Sequence, residues 1–360
     1  MVSATRATVE REAIARVARS GLDVMELLHE VALRLGSVVP YDIIGLLLFD
    51  PESVLPTRRE VLGDYPVLVK DLLHNEIVSP DVLKFDELAT FRRPAVSISS
   101  LGARGLESER RTQILGPAGL GDELRVIFRH DGSAWGGACL GRASGALFED
   151  AEIAFVRDIA GVVARGLQRS LSKRTGERAS SAASPGVVLL DQALEVTSTT
   201  VPGQRWLRLM PAGSEVALQA LALRARGTAN EERLRRGRIR LTTGEWVTAR
   251  AAPIGNGSGE GLTSITLAPT EGSEMAQMML SLHGLTARES DVAALLLTGI
   301  TYESTARRLL ISRHTLHDHV RSIFGKVGVN NRAELMAVLS SGQPAVERRG
   351  RFVGGAASWS

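Results

Sequence analysis

The side chains best placed to do chemistry sit close together near the C-terminal end: His314, His317, Asp318 and Arg321. Their spacing puts them on one side of a helix whose other side is apolar. Leu316, Val320, Ile323, Phe324 and Val327 recur at intervals of 4, 3, 1 and 3, an amphipathic period. The polar face therefore offers a row of hydrogen-bond donors and acceptors to solvent, which is recognition chemistry. Nothing pairs a nucleophile with a base anywhere in the chain. The only cysteine, Cys139, excludes a disulfide framework and any site of several thiolates. His130 lies one turn away from Cys139 in sequence, too few ligands for a metal, and none is expected. His29 and His74 are expected at the surface. Asp42 and Asp50 flank an apolar run as a phosphoacceptor would, but the early acidic pair and downstream lysine of a receiver domain are missing. No Gly-x-x-x-x-Gly-Lys-Ser/Thr phosphate loop occurs, and no cofactor is expected.

Around the polar face, helix signals follow one another at short range. Thr286 with Glu289 three residues on makes a capping box, Val292, Leu295 and Leu296 form the inner face, and Gly299 suits the stop. Thr301 opens a short helix carrying Ala306 and Leu309 inward. Ile311 follows as a turn residue, Ser312 caps the polar-faced helix, and Asn331 with Glu334 starts a fourth helix buried through Leu335, Val338 and Leu339. Four short helices with a tight turn before the polar-faced third describe a helix-turn-helix unit.

These residues resemble a known family. Leu285-Thr286-x-Arg288-Glu289, Gly299, Ala306, Leu309, Ile311-Ser312, Thr315, His319-Val320, Ile323, Lys326-x-Gly328-Val329 and Arg332-x-Glu334-Leu335 are similar to the LuxR-type (LuxR/FixJ/NarL) DNA-binding domain. The resemblance implies major-groove recognition by the helix from about Arg313 to Gly325. By position, His317, Asp318 and Arg321 would read base edges, and Ser312, Arg313, Thr315, Lys326 and Arg332 would meet the DNA backbone. The chemistry is compatible: Arg321 can donate twice to guanine, and Asp318 can accept from cytosine N4. Where the family often has Gly in the turn, Leu310 stands, and it must avoid or tolerate positive φ.

Composition alone points to no partner. The 360 residues carry 43 basic and 40 acidic side chains, a net charge of +3, and all the basic residues except Lys70, Lys84, Lys173 and Lys326 are arginine. Apolar residues at 44% and charged residues at 23% are those of an ordinary globular chain of two or three domains. No apolar stretch is long enough to span a bilayer, and residues 1–12 lack the pattern of a secretory signal, so a cytoplasmic protein is expected. Between Ser281 and Ser340, seven Lys/Arg oppose five Asp/Glu. So small a surplus predicts weak, salt-sensitive binding by one copy and useful occupancy by two domains on paired half-sites.

Breaks at 172–185 and at 268–274 divide the chain. The expected organisation is a sensor domain at 1–172, a linker at 173–185, a second domain at 186–270, the helix-turn-helix domain at 278–342 and a disordered tail at 343–360. In the first, Val24, Leu27, Leu28, Val31 and Leu35 predict an amphipathic helix. Ile43–Phe49 reads as a buried strand, and Glu123–Phe128 and Trp135–Gly141 as a hairpin joined at His130-Asp131-Gly132. Ile153 through Leu167 reads as a long closing helix, and Trp135, Trp206 and Trp246 as packing residues. With Gly121 to Arg125, Trp135-Gly136-Gly137, Leu140 to Arg142 and Phe148, this layout resembles a GAF domain. Residues 186–270, with strands at Gly186–Leu190, Arg238–Leu241, Trp246–Ala251 and Leu262–Leu267, resemble a PAS domain of five strands with helices on one side.

The expected fold is thus α+β sensor domains, GAF-like then PAS-like, followed by an all-α four-helix domain. The expected function is that of a non-enzymatic transcriptional regulator. Its partners would be double-stranded operator DNA with paired half-sites, a small-molecule effector, a second copy as a homodimer, and RNA polymerase, with no membrane involved. The ligand pocket cannot be read from residue types. Alternatives are a sigma-factor-like polymerase subunit, disfavoured because no basic aromatic melting helix precedes the pair, and a constitutive DNA-binding protein with structural N-terminal domains.

Overall fold

The computed structural model describes residues 4–63, 69–172, 184–227, 232–255, 261–270 and 272–341. The expected tail and all but the last two positions of the expected linker lie outside the described residues. The chain forms two compact units, Met1–Pro269 and Thr270–Ser360.

The first unit begins with α1 (Ala4–Ser20) and α2 (Val24–Gly36), whose N-terminus is closed by a capping box of Asp23 and Glu26. A five-stranded sheet follows: β1 (Ile43–Asp50), β2 (Leu55–Leu62), β3 (Ala95–Ser97), β4 (Leu120–His130) and β5 (Ser133–Ala143). Between β2 and β3 lie α3 (Val69–Ile77) and α4 (Phe85–Thr90), and between β3 and β4 come α5 (Ala103–Leu106) and a π-helical turn at Arg110–Leu115. The strands run antiparallel in the order β2-β1-β5-β4-β3. The β4–β5 turn has Asp131 at φ 49° and Gly132 at φ 79°, the left-handed pair that suits a two-residue hairpin. The closing helix α6 (Asp150–Ser172) packs on β4, β5, α1 and α2.

Ile43–Phe49 forms the strand expected, and its two faces differ in burial. Ile44, Leu46 and Leu48 are buried, whereas Ile43, Gly45 and Leu47 alternate with them and are half-buried. The run is apolar throughout because one face packs into protein while the other lines a cavity.

A second antiparallel sheet contains β6 (Gly186–Leu190), β7 (Val196–Thr199), β8 (Arg236–Arg240), β9 (Trp246–Pro253) and β10 (Thr263–Pro269). Its order, β7-β6-β10-β9-β8, repeats the permutation of the first sheet. The helices α7 (Val201–Leu209) and α8 (Glu215–Gly227) separate β7 from β8. Together the two sheets give the α+β architecture expected.

The two sheets share a core. Leu55 of β2 and Leu73 of α3 belong to the same apolar cluster as Leu221, Ile239 and Ile265. Helix α8 is buried nearly all round, Val216 to Leu223 without a break, because it serves both sheets. Close approach demands glycine: a Cβ on Gly237 would lie 2.2 Å from Leu55 Cδ2, and one on Gly213, at φ 83°, would lie 2.0 Å from the Arg59 carbonyl. Polar and apolar residues alternate along Arg238-Ile239-Arg240-Leu241, the pattern of a half-buried strand, yet Arg238 is buried. It is 3% exposed, and its guanidinium donates to Asp50 Oδ1 at 2.8 Å and Oδ2 at 3.1 Å. Asp50 is thereby committed to holding β8 against β1.

The second unit is helical: α9 (Gly272–Leu282), α10 (Ala287–Leu297), α11 (Tyr302–Arg308), α12 (Arg313–Val327) and α13 (Arg332–Ser341). α9 packs on α13 and α10 and adds Met278, Met279 and Leu280 to the core, so the small polar residues at its start precede a helix rather than a loop. No helix among the described residues is long and apolar enough to cross a membrane.

Candidate nucleic-acid interface and a cavity

The cap of α12 fixes its start. Ser312 sits in an extended conformation (φ −68°, ψ 156°), and its hydroxyl accepts from the Thr315 amide at 3.0 Å and meets the Thr315 hydroxyl at 2.9 Å. Leu316, Val320, Ile323 and Val327 are buried, and Phe324 is half-buried. That orientation leaves His314, His317, Asp318 and Arg321 exposed along one edge. Asp318 lies between two of them, 3.7 Å from His314 Nε2 and 3.8 Å from Arg321 Nη1. These separations are longer than hydrogen bonds, so both neighbours keep their donors for other acceptors. Arg313 pairs with Glu303 of α11, and the His317 ring meets Tyr302 edge-on at 5.9 Å.

The turn between them holds Leu310 at φ 54°, with its side chain 93% exposed. The Leu therefore tolerates the left-handed conformation, and its side chain gains no packing in exchange.

Two of the expected phosphate-contacting cations are tied inward. Lys326 Nζ donates to Glu289 Oε2 at 2.7 Å and to the Gly284 carbonyl at 3.0 Å. Glu289, 5% exposed, also accepts from the Thr286 amide at 2.7 Å and the Ser322 hydroxyl at 2.6 Å. Burial by itself would raise the Glu289 pKa; the bonds from Lys326, Ser322 and Thr286 outweigh it and hold the carboxyl at about 2. Arg332 donates to the carbonyls of Leu296 and, at 2.9 Å, Ile300, closing the C-terminal end of α10.

The first unit contains a feature that residue types did not reveal, a cavity of about 320 Å³. Its floor is the open face of the first sheet. Arg125, Cys139, Gly45 and Val61 stand opposite one another on β4, β5, β1 and β2, and all four line it. Glycine and cysteine on the middle strands leave the sheet hollow there, and glycine within a strand was the signal available in sequence. The β4 side is charged. Arg110 donates to both oxygens of Glu123, at 2.6 and 2.8 Å, and both residues are buried. Burial pushes the Glu123 pKa upward, but the Arg110 charge overrides it and the net shift is down. Arg125 donates to Glu76 at 2.6 Å and stacks 4.1 Å from the centre of the Phe85 ring. Burial, with the nearby Glu123 charge, pushes the Cys139 thiol up to about 12, so it is a protonated wall residue at neutral pH and not a nucleophile. His130 stands opposite Ser133 at the hairpin end, away from the Arg125–Cys139 row, so the two do not form a ligand pair.

A capped recognition helix presented by a second, shorter helix across a tight turn defines the class: a helix-turn-helix DNA-binding domain. Residues 283–339 match the family profile "Bacterial regulatory proteins, luxR family", and the C-terminal domain is a LuxR-family domain. A curated relative, the "Probable transcriptional regulatory protein SgaR" of Hyphomicrobium methylovorum, is 42% identical over 57 residues, which is 16% of this chain and 27% of the relative. The chain thus spans about a quarter of the length of the curated relative it matches. Among solved structures, Escherichia coli SdiA is similar at 12% identity and a TM-score of 0.30, covering 91% of this chain and 94% of that one. A GAF domain from a Coxiella burnetii phosphoenolpyruvate-protein phosphotransferase is similar at 13% identity and a TM-score of 0.30, covering 46% of this chain and 94% of that one.

Proposed function

We propose that the chain is a sequence-specific transcriptional regulator whose first unit, GAF-like and then PAS-like, senses a small molecule and controls the C-terminal domain. The observation that carries this reading is the exposed edge of α12, where His317, Asp318 and Arg321 face outward on a helix whose start is locked by Ser312. His317, Asp318 and Arg321 read bases. Ser312, Arg313 and Thr315, at the helix N-terminus, meet phosphates, where amides and hydroxyls favour an anion. Lys326 and Arg332 act chiefly by supporting the frame, because their charges are already engaged inside the domain. The protein binds paired half-sites as a homodimer, with RNA polymerase as its downstream partner. Effector control requires the ligand to bind the DNA-competent and DNA-incompetent states with different affinity.

Electrophoretic shifts and footprints on the DNA upstream of the gene, at several salt concentrations, test the reading. The expected result is a protected pair of half-sites, with Arg321→Ala weakening preference at one base pair while leaving non-specific binding intact. Absence of any sequence preference at low salt would defeat it.

A further inference from the structure

The cavity has apolar walls and a set of charged side chains, one of which keeps two donors without acceptors among the described residues. Four arginines line it, Arg59, Arg110, Arg125 and Arg224; Arg59 pairs with Glu215 at 3.1 Å, and Glu76 and Glu123 are the inward carboxylates. The other acidic residues on its lining face water: Asp86 is exposed, and Glu60 meets His29 at 2.9 Å. Arg110 is used up, with two nitrogens on Glu123 and Nη1 donating to Asn75 Oδ1 at 3.5 Å. Glu76 is also used up, since its second oxygen accepts from the Phe85 amide at 2.6 Å. Arg125 is not. It is 1% exposed, and its Nε and Nη1 find no acceptor among the described residues. A buried guanidinium donor without an acceptor is costly, and a guanidinium cannot shed its proton to escape that cost.

We propose that the cavity binds a small amphiphilic organic anion, with an apolar body held by the walls and a terminal carboxylate accepting from Arg125. The inference rests on the sensor reading above and names its ligand class. A carboxylate supplies the missing acceptor through a charge-assisted bond, a neutral acceptor makes a weaker one, and a cation makes none. Ile43, Leu47, Phe49, Leu72 and Leu120 offer the hydrocarbon contact, and a volume of about 320 Å³ is at the small end for ligand pockets, suited to a ligand on the order of ten heavy atoms. The lining draws on both sheets' elements, because Val216 and Arg224 come from α8. Occupancy therefore bears on the joint between the sheets and not on the first sheet alone.

The test uses the full chain and matched probes: octanoate against 1-octanol, and 3-phenylpropionate against 3-phenylpropanol, by calorimetry and thermal melting. Each acid is expected to bind at least about tenfold tighter than its alcohol, the value of a charge-assisted hydrogen bond. Two variants locate the effect. Arg125→Met abolishes the preference for acid over alcohol while alcohol still binds; if that variant fails to fold, Arg125→Lys retains the charge and shows a reduced preference. Gly45→Leu fills the cavity and abolishes binding of both, because a Cβ there meets nothing nearer than Cys139 Cβ at 4.0 Å and points into open space. Acid and alcohol binding equally to wild type, both lost in Gly45→Leu, would overturn the anion while leaving a small-molecule cavity intact. Binding that persists in Gly45→Leu, or the failure of every probe to bind wild type, would overturn the anion proposal and count against the sensor reading.

Discussion

Glu289 ties the start of α10 to Ser322 and Lys326 of α12 through one carboxylate, and Glu289→Gln isolates what its charge contributes. Glutamine still accepts from the Thr286 amide, since either residue completes a capping box. What it loses is the charge facing Lys326, 2.7 Å away. A hydrogen bond to a charged group contributes roughly 1.5–3 kcal/mol. The depressed pKa gives an independent figure. A carboxyl at about 2 in the fold against an ordinary 4.5 corresponds to on the order of 3 kcal/mol at about 1.4 kcal/mol per unit. The Lys326 side chain is 33% exposed, and solvent screening lowers the expectation to about 1.5–2.5 kcal/mol. Because the folded pKa lies below the unfolded one, this stability is complete above about pH 4.5 and is lost as pH falls toward 2, with less than half remaining near pH 3. The assay is urea unfolding of the full chain read by hydrogen exchange in peptides covering α10 and α12, at pH 7 and pH 3. Wild type should exceed the variant at pH 7 and approach it at pH 3. A difference below about 0.5 kcal/mol at pH 7, or an undiminished difference at pH 3, would refute the reasoning.

Four further outcomes are expected. Ser312→Ala removes the cap of α12, costs about 1 kcal/mol in the same exchange measurement, and weakens DNA binding in proportion to fraying of the first turn. Leu310→Gly relieves a left-handed residue whose side chain is 93% exposed, and should leave stability unchanged or raise it by up to about 1 kcal/mol in thermal melts, whereas a loss would mean the side chain packs. Asp50→Ala removes both guanidinium bonds from the buried Arg238 to Asp50, with Glu52 2.9 Å away, and should cost about 3 kcal/mol in urea melts of the first unit's exchange-protected strands. Asp318→Ala should change base preference at a single position of each half-site in a selection experiment, and unchanged preference would remove Asp318 from the readers.

The C-terminal domain was legible because its determinants are local. A capping box, an N-cap serine and an apolar period span three to seven residues, and a helix translates them directly into which side chains face out. Thr286, Thr301 and Ser312 cap as their spacing implies, and His317, Asp318 and Arg321 are exposed for the same reason. Residue type was a poorer guide where a charge has a distant partner. Lys326 stood out as a cation in a lysine-poor chain, yet its partner, Glu289, is 37 positions away and pulls it inward. Arg238 looked like the polar half of an alternating strand, and its partner Asp50 is 188 positions away.

What the sequence by itself determined was therefore four helices of the C-terminal domain, seven of the ten described strands and the closing helix of the first unit, and the face presented to solvent at α12; β2, β3, β7 and α9 were not read from it. Those follow from periodicity and capping, which act within a turn or two of the chain. Only the tertiary structure decided that Leu55 and Leu73 join the core of the second sheet, that α8 is buried against both sheets, and that small residues on β1 and β5 fall in register beside Arg125 to hollow a cavity. Register and long-range pairing depend on which strands meet and at what offset, and a shift of one residue would turn every one of those side chains to the other face.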